Sequence, residues 1–110
     1  MGSNQGVQFP IAKAYAAVKA ADVLRNQACA FFDQNQPCGE SANTAKYLSS
    51  EASWSAANAC IDTFGGNGFV KEYDVERKFR ETRMYRVAPV NNNMILSYIG
   101  QHVLKMPRSY

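Results

Sequence analysis

The sequence predicts an all-α fold, an up-down bundle of four helices in a single domain. Three observations carry that reading. Residues 7–34 and 41–64 form two long alanine-rich segments, each carrying its larger side chains along a helical pattern. No stretch alternates apolar and polar residues with a period of two, and no unit repeats. The breaks between segments are short, as antiparallel helical neighbours require. The chain is organised around residues 61–73, IDTFGGNGFVKEY, where a helix runs into three glycines within four positions.

In the first helix, 7–34, Ile11, Tyr15 and Val18, then Leu24, Ala28 and Phe31, fall near helical spacing. Lys13, Asp22 and Asn26 lie between them, which is the pattern of an amphipathic helix. Pro10 is expected in the first turn, where its missing N–H costs nothing. QNQPCG (34–39) is a breaker loop. Ser41 is the expected N-cap of the second helix, 41–64. Tyr47, Leu48, Trp54 and Ile61 are its large members. Its alanines and serines let neighbouring helices approach closely, placing it inside the bundle. Mild polarity on several sides, at Asn43, Ser49, Ser50 and Ser53, fits a helix with several neighbours.

Gly65 and Gly66 end that helix, since glycine is favoured just past a C-terminus. Residues 65–73 form the connection. Asp74 is the expected cap of a third helix reaching about Arg86. It carries Arg77, Arg80, Arg83 and Arg86, with Glu76 four positions before Arg80 in a favourable pairing. Ala88-Pro89-Val90 breaks the pattern. Asn91, Asn92 and Asn93 offer caps for a last helix, 94–104, with Ile95, Tyr98, Ile99 and Val103 on one side. The tail, 105–110, reads as extended.

Composition narrows the function classes. With 110 residues, 46% hydrophobic and 19% charged, the chain is a globular domain with one modest core. No run of about 18 apolar residues offers a membrane span. The start, MGSNQGVQFP, lacks the basic region and apolar core of a signal peptide, so a cytoplasmic location is expected. Cys29, Cys38 and Cys60 form no CxxC pair and no cluster with histidine, so no metal site is expected. They read as reduced thiols, with Cys29 and Cys60 as small core residues. The net charge of +3 is mild and does not indicate nucleic acid.

The motifs each have a structural and a functional reading. GGNG follows a helix rather than a strand, so it is no dinucleotide fingerprint. It is a helix stop, or a turn whose backbone N–H groups meet a ligand's polar groups. The arginine row is a salt-bridged face or a phosphate site, and Tyr85 alone offers little aromatic stacking for nucleic acid. His102, the single histidine, sits where a helix dipole favours it and has no serine or cysteine at motif spacing. These residues describe a helical bundle without naming an activity.

Residues 61–110 closely resemble the C-terminal part of acyl-CoA dehydrogenases. The resemblance rests on Gly65, Gly66, Gly68, Phe69, Glu72 and Tyr73, followed by the pair Arg80-Glu81. GSNQGVQFPIAKAYA matches the segment where the family carries a glutamine and begins a long helix, so the resemblance covers the whole chain. It implies an N-terminal helical domain and a β-barrel outside this chain, with Met1 where an internal residue stands in a complete enzyme. The chain then reads as an engineered fragment, a truncation or one piece of a split enzyme. It also implies FAD held between barrel and bundle, with a neighbouring subunit's bundle at the adenine-nucleotide end. The implied partners are an acyl-CoA substrate, a homodimer or homotetramer, and an electron-transfer flavoprotein.

Carried over by position, the flavin contacts fall on Asn4 and Gln5, on Asp62, Gly65 and Gly66, and on Asn91 and Asn93. Asp62 departs from the glutamine of many members, and a carboxylate repels a pyrophosphate. Where members have Glu-Gly-Thr-x-[Gln/Glu], this chain has Pro89, Val90, Asn91, Asn92 and Asn93. The usual base is therefore a proline, which accepts no proton. Some branches, such as isovaleryl-CoA dehydrogenases, place the base on an earlier helix, which would precede Met1. No catalytic residue is assigned, and Glu72 and Glu76 read as structural. Two alternatives stand beside this one: a non-catalytic helical oligomerisation module, and a fragment of a flavin-dependent monooxygenase of the same fold.

Overall fold

Two long helices and two short ones make up the computed structural model, which describes residues 1–108. They are α1 (Gln5–Asp33), α2 (Gly39–Phe64), α3 (Val75–Met84) and α4 (Asn92–Tyr98). Two 3-10 turns, Gly65–Phe69 and Lys71–Tyr73, join α2 to α3, and a π turn, Ile99–Val103, extends α4. No strand occurs among the described residues. This is the expected all-helical class with four helices. At about 1.5 Å per residue, α1 alone accounts for nearly all of the 46 Å longest dimension.

Asn4 starts α1 by accepting from the Gly6 amide at 2.7 Å. Pro10 lies in the second turn, not the first, and the helix continues through it. Asn35 ends α1 at φ 54°, with the Gln36 amide bonded to the Phe31 carbonyl at 2.8 Å. Asparagine tolerates that left-handed geometry because its short polar side chain bonds locally. α2 begins two residues earlier than expected. Cys38 is its N-cap residue without a side-chain bond, and Ser41 is inside the helix and buried, its hydroxyl donating to Gln27 Oε1 at 3.4 Å.

α2 is the hub: α1 packs along it, and α3 and α4 dock on it as well. The seam between α1 and α2 is made of small side chains. Ala14 and Ala21 are the buried residues of α1, and Ala45, Ala52, Ala57 and Ala59 are buried on α2. Ile11, Tyr15 and Val18, on the expected amphipathic face, stay exposed at the rim of this seam. These larger neighbours line an open cleft beside the buried alanines. Cys29 is exposed rather than in the core, and Cys60 is half-buried.

Gly65 caps α2 at φ 57°, a conformation glycine adopts without strain. Phe64 and Tyr73 meet edge to face at 5.7 Å and close the double turn. Asp74 adopts φ 58° and makes no side-chain cap bond; its carboxylate is drawn instead to Arg77. α3 docks by stacking Phe79 on Trp54 at 4.8 Å, with Arg83 over the same indole at 5.2 Å. It ends at Met84, short of Arg86. α4 starts two residues before the expected position and gives way to the π turn after Tyr98. Asn91 caps it, accepting from the Asn93 amide at 2.7 Å, and Ile95 is its deeply buried anchor. The expected extended tail includes Ser109 and Tyr110, which lie outside the described residues.

Candidate functional site

The seven residues singled out as flavin contacts fall into two groups. Clefts between the long helices are lined by Pro10 with Asp62 and by Ile11 with Phe64. This register sets the first turn of α1 beside the end of α2, bringing Asn4 and Gln5 to the same end of the hairpin as Asp62, Gly65 and Gly66. Asn4, Gln5, Asp62, Gly65 and Gly66 are all exposed. A side chain at Gly65 or Gly66 would meet nothing within 4 Å, so the backbone there is open to close approach. Gly68 differs: it is buried, and a Cβ would lie 3.3 Å from Ile61 and Phe64. Asp62 shares a shallow cleft with Lys13, Phe9 and Asn58.

Asn91 and Asn93 form the second group, in the connection from α3 to α4. That connection is tied to the middle of α2 by side chains whose long-range pairing the sequence reading did not give, Lys46 and Glu51 among them. Asn92 Nδ2 donates to Glu51 Oε1 at 2.8 Å. Asn92 Oδ1 accepts from Ser50 Oγ at 2.9 Å and from Lys46 Nζ at 3.4 Å. Arg86 Nε donates to the same Glu51 oxygen at 2.8 Å, and Lys46 Nζ also donates to the Tyr85 carbonyl. Burial lowers the Lys46 pKa from its ordinary value. Lys46 and Glu51 are the sole charges between Ser41 and Ile61, a feature that sets them apart on α2 without naming their partners. Glu51 lies fourteen positions before Gly65, the cap of α2, about 21 Å along the axis. The two groups are therefore separate surfaces of one chain.

A cleft of about 320 Å³ adjoins Pro89, lined by Lys46, Ser49, Ser50, Ser53, Tyr85 and Ala88. The lining offers hydroxyls and an ammonium but no carboxylate. It can donate hydrogen bonds to a ligand, and it holds no group suited to take a proton from carbon.

The arginine row is engaged internally. Arg77 bridges Asp74 and Glu81, and Arg80 binds Glu76 at 2.8 Å. Arg83 lies over Trp54, and Arg86 binds Glu51. Hydrogen bonding to Arg77 holds the Asp74 pKa below its ordinary value, and Arg80 does the same for Glu76. Donating hydrogen bonds to Asp74 and then Glu81 raises that of Arg77. The salt-bridged reading of this face is the one the geometry supports. His102 rests against the Tyr98 ring at 5.1 Å.

Comparison with known proteins agrees with the fold. Residues 1–104 match the family described as acyl-CoA dehydrogenase, C-terminal domain. The chain is 36% identical over 112 aligned residues to the acyl-CoA dehydrogenase FadE12 of Mycobacterium tuberculosis, covering 100% of this chain and 29% of that protein. It is 30% identical over 99 residues to the short/branched chain specific acyl-CoA dehydrogenase, mitochondrial, of Rattus norvegicus, covering 90% of this chain and 23% of the relative. It is likewise 30% identical over 105 residues to the short-chain specific acyl-CoA dehydrogenase, mitochondrial, of Bos taurus, covering 96% and 26%. The chain thus spans less than a third of the length of these relatives. No helix among the described residues is long and apolar enough to cross a membrane. With its helical architecture and a family match over nearly its whole length, this chain belongs to the acyl-CoA dehydrogenase family, in the part that forms the C-terminal helical domain.

Proposed function

We propose that this chain is one helical domain, 1–110, that supplies two edges of an FAD site in an enzyme dehydrogenating an acyl-CoA thioester, and the subunit contact that completes it. The observation that carries the reading is the separation of about 21 Å along α2 between its Gly65 end and Glu51, which anchors the connection bearing Asn91. A flavin whose ring and adenine ends are met by different copies of the domain needs two such surfaces on each chain. The homodimer or homotetramer follows from that division.

The residues fit the cofactor at most positions. Gly65 and Gly66 leave the backbone open for a phosphate-bearing ligand, and Asn4 and Gln5 stand at the same end. Asn91 spends its oxygen on the Asn93 amide, leaving its NH2 group to donate outward. Asp62 does not fit, because its exposed carboxylate opposes a pyrophosphate. Bound FAD supplies the acceptor for the substrate's hydride. The chain's own residues bind and orient; with Pro89 at the usual base position, the proton acceptor belongs to another part of the enzyme. An electron-transfer flavoprotein is the proposed acceptor of its electrons, and the cytoplasm the proposed location.

A second reading, a non-catalytic oligomerisation module, is favoured by the exposed apolar residues of α1, among them Ile11, Tyr15, Val23 and Phe32. One experiment separates the two. The purified chain is sedimented with and without FAD while flavin absorbance is followed. Flavin moving with a discrete oligomer supports the cofactor site. A defined oligomer that leaves all flavin behind, both alone and with a complementary N-terminal piece added, overturns it and supports the module.

A further inference from the structure

We infer that Asn92, Glu51 and Lys46 are positioning residues, a clamp that sets where Asn91 stands against the cofactor. This inference rests on the flavin reading above and concerns side chains that make no proposed contact with flavin themselves.

The clamp holds the connection at both ends. On the α3 side, Lys46 takes the Tyr85 carbonyl and Glu51 takes the Arg86 side chain. On the α4 side, Glu51, Ser50 and Lys46 converge on the Asn92 carboxamide. The Asn92 amide closes the loop on the Arg86 carbonyl at 3.1 Å. Residues 87–91 lie between these anchor points, and they are the ones that carry Pro89 and Asn91. Packing fixes them only in part: Ala88 and Asn91 are half-buried, while Val87, Pro89 and Val90 are exposed. The hydrogen bonds at the two ends supply the rest of the restraint.

Asn92 is suited to this and not to capping. It is 6% exposed, whereas its neighbour Asn91 makes the cap bond. Its carboxamide is used in both polarities: the NH2 meets a carboxylate, and the oxygen meets a hydroxyl and an ammonium. Aspartate has the same shape but presents a second acceptor to Glu51, turning a 2.8 Å hydrogen bond into a carboxylate–carboxylate contact. Replacing Glu51 by glutamine at the same time restores a donor to the pair, because the carboxamide introduced by E51Q then donates to the carboxylate introduced by N92D. The total charge is unchanged in that double variant.

The test uses the full chain as wild type, N92D and N92D/E51Q. It measures amide hydrogen exchange together with flavin affinity by absorbance titration. In N92D, amides within 87–93 are expected to exchange at least tenfold faster while those of α1 and α2 keep their protection. Flavin affinity should fall at least tenfold, and the double variant should recover both. Asn92→Ser, which introduces no carboxylate, replaces N92D if that variant does not fold. A loosened connection with unchanged flavin affinity overturns the positioning role and leaves the flavin reading intact. Unchanged exchange within 87–93, or an equal loss of protection everywhere, overturns the clamp. A wild-type chain that binds no flavin either alone or with a complementary N-terminal piece overturns the flavin reading and this role together.

Discussion

Removing the Ile95 side chain tests how this small core is held. Ile95 is 1% exposed and is the one large side chain fully buried among the described residues. Most of the remaining core is alanine, so little else is available to replace its contacts. Ile95→Ala deletes three carbons, worth about 2.4 kcal/mol at about 0.8 kcal/mol each. The cavity left behind adds to this, and such substitutions cost about 2–5 kcal/mol in total. A domain of this size has a total stability of about 5–15 kcal/mol. The expected fall in melting temperature is roughly 10–25 °C. Thermal melts by far-UV circular dichroism and by Trp54 fluorescence measure it, with Leu96→Ala, on the exposed side of α4, as control. If Ile95→Ala melts within about 3 °C of the wild type and no lower than the control, α4 is not anchored as described.

Gly68→Ala should destabilise by about 1–3 kcal/mol in urea titrations, because the new methyl would sit 3.3 Å from Ile61 and Phe64. Gly65→Ala meets no neighbour, yet should cost about 1–2 kcal/mol through its φ of 57° alone. Acid should loosen α3. The Asp74 and Glu76 carboxylates are held below their ordinary pKa values, so the unfolded state binds more protons as the medium acidifies. Their contribution is complete above about pH 4.5 and is lost as pH falls through the depressed folded-state values. Helix content unchanged from pH 5 to pH 2.5 would count against it. Replacing Ile11 and Val18 by lysine should shift sedimentation equilibrium toward monomer if the exposed face of α1 drives self-association.

Much of the fold was legible because it follows local chemistry. Gly65 ends α2 through its own backbone preference, and the arginine–glutamate spacing of α3 pairs within its own helix. The apolar spacing of α1 was a poorer guide. Periodicity reports which residues share a face, not how deeply each is buried: Ala14 and Ala21 lie on the same stripe as Ile11, Tyr15 and Val18, yet only the two alanines are buried. Asp74 looked like a cap because aspartate often is one, but Arg77, three positions on, competed for its carboxylate. The candidate contacts came from resemblance. The link between Lys46, Glu51 and Asn92 was hidden because its partners are more than 40 positions apart.

That separation has a consequence for how the chain is made. The broadest interface, between α1 and α2, joins consecutive helices across a short loop, and such local contacts form early and fast. The bonds from Lys46 and Glu51 to Asn92 span 46 and 41 positions and must wait for loop closure. During synthesis the helical hairpin can assemble before α3 and α4 have left the ribosome. Until they arrive, the serine face of α2 stands open to water, and its hydroxyls and its two charges keep that waiting surface hydrated.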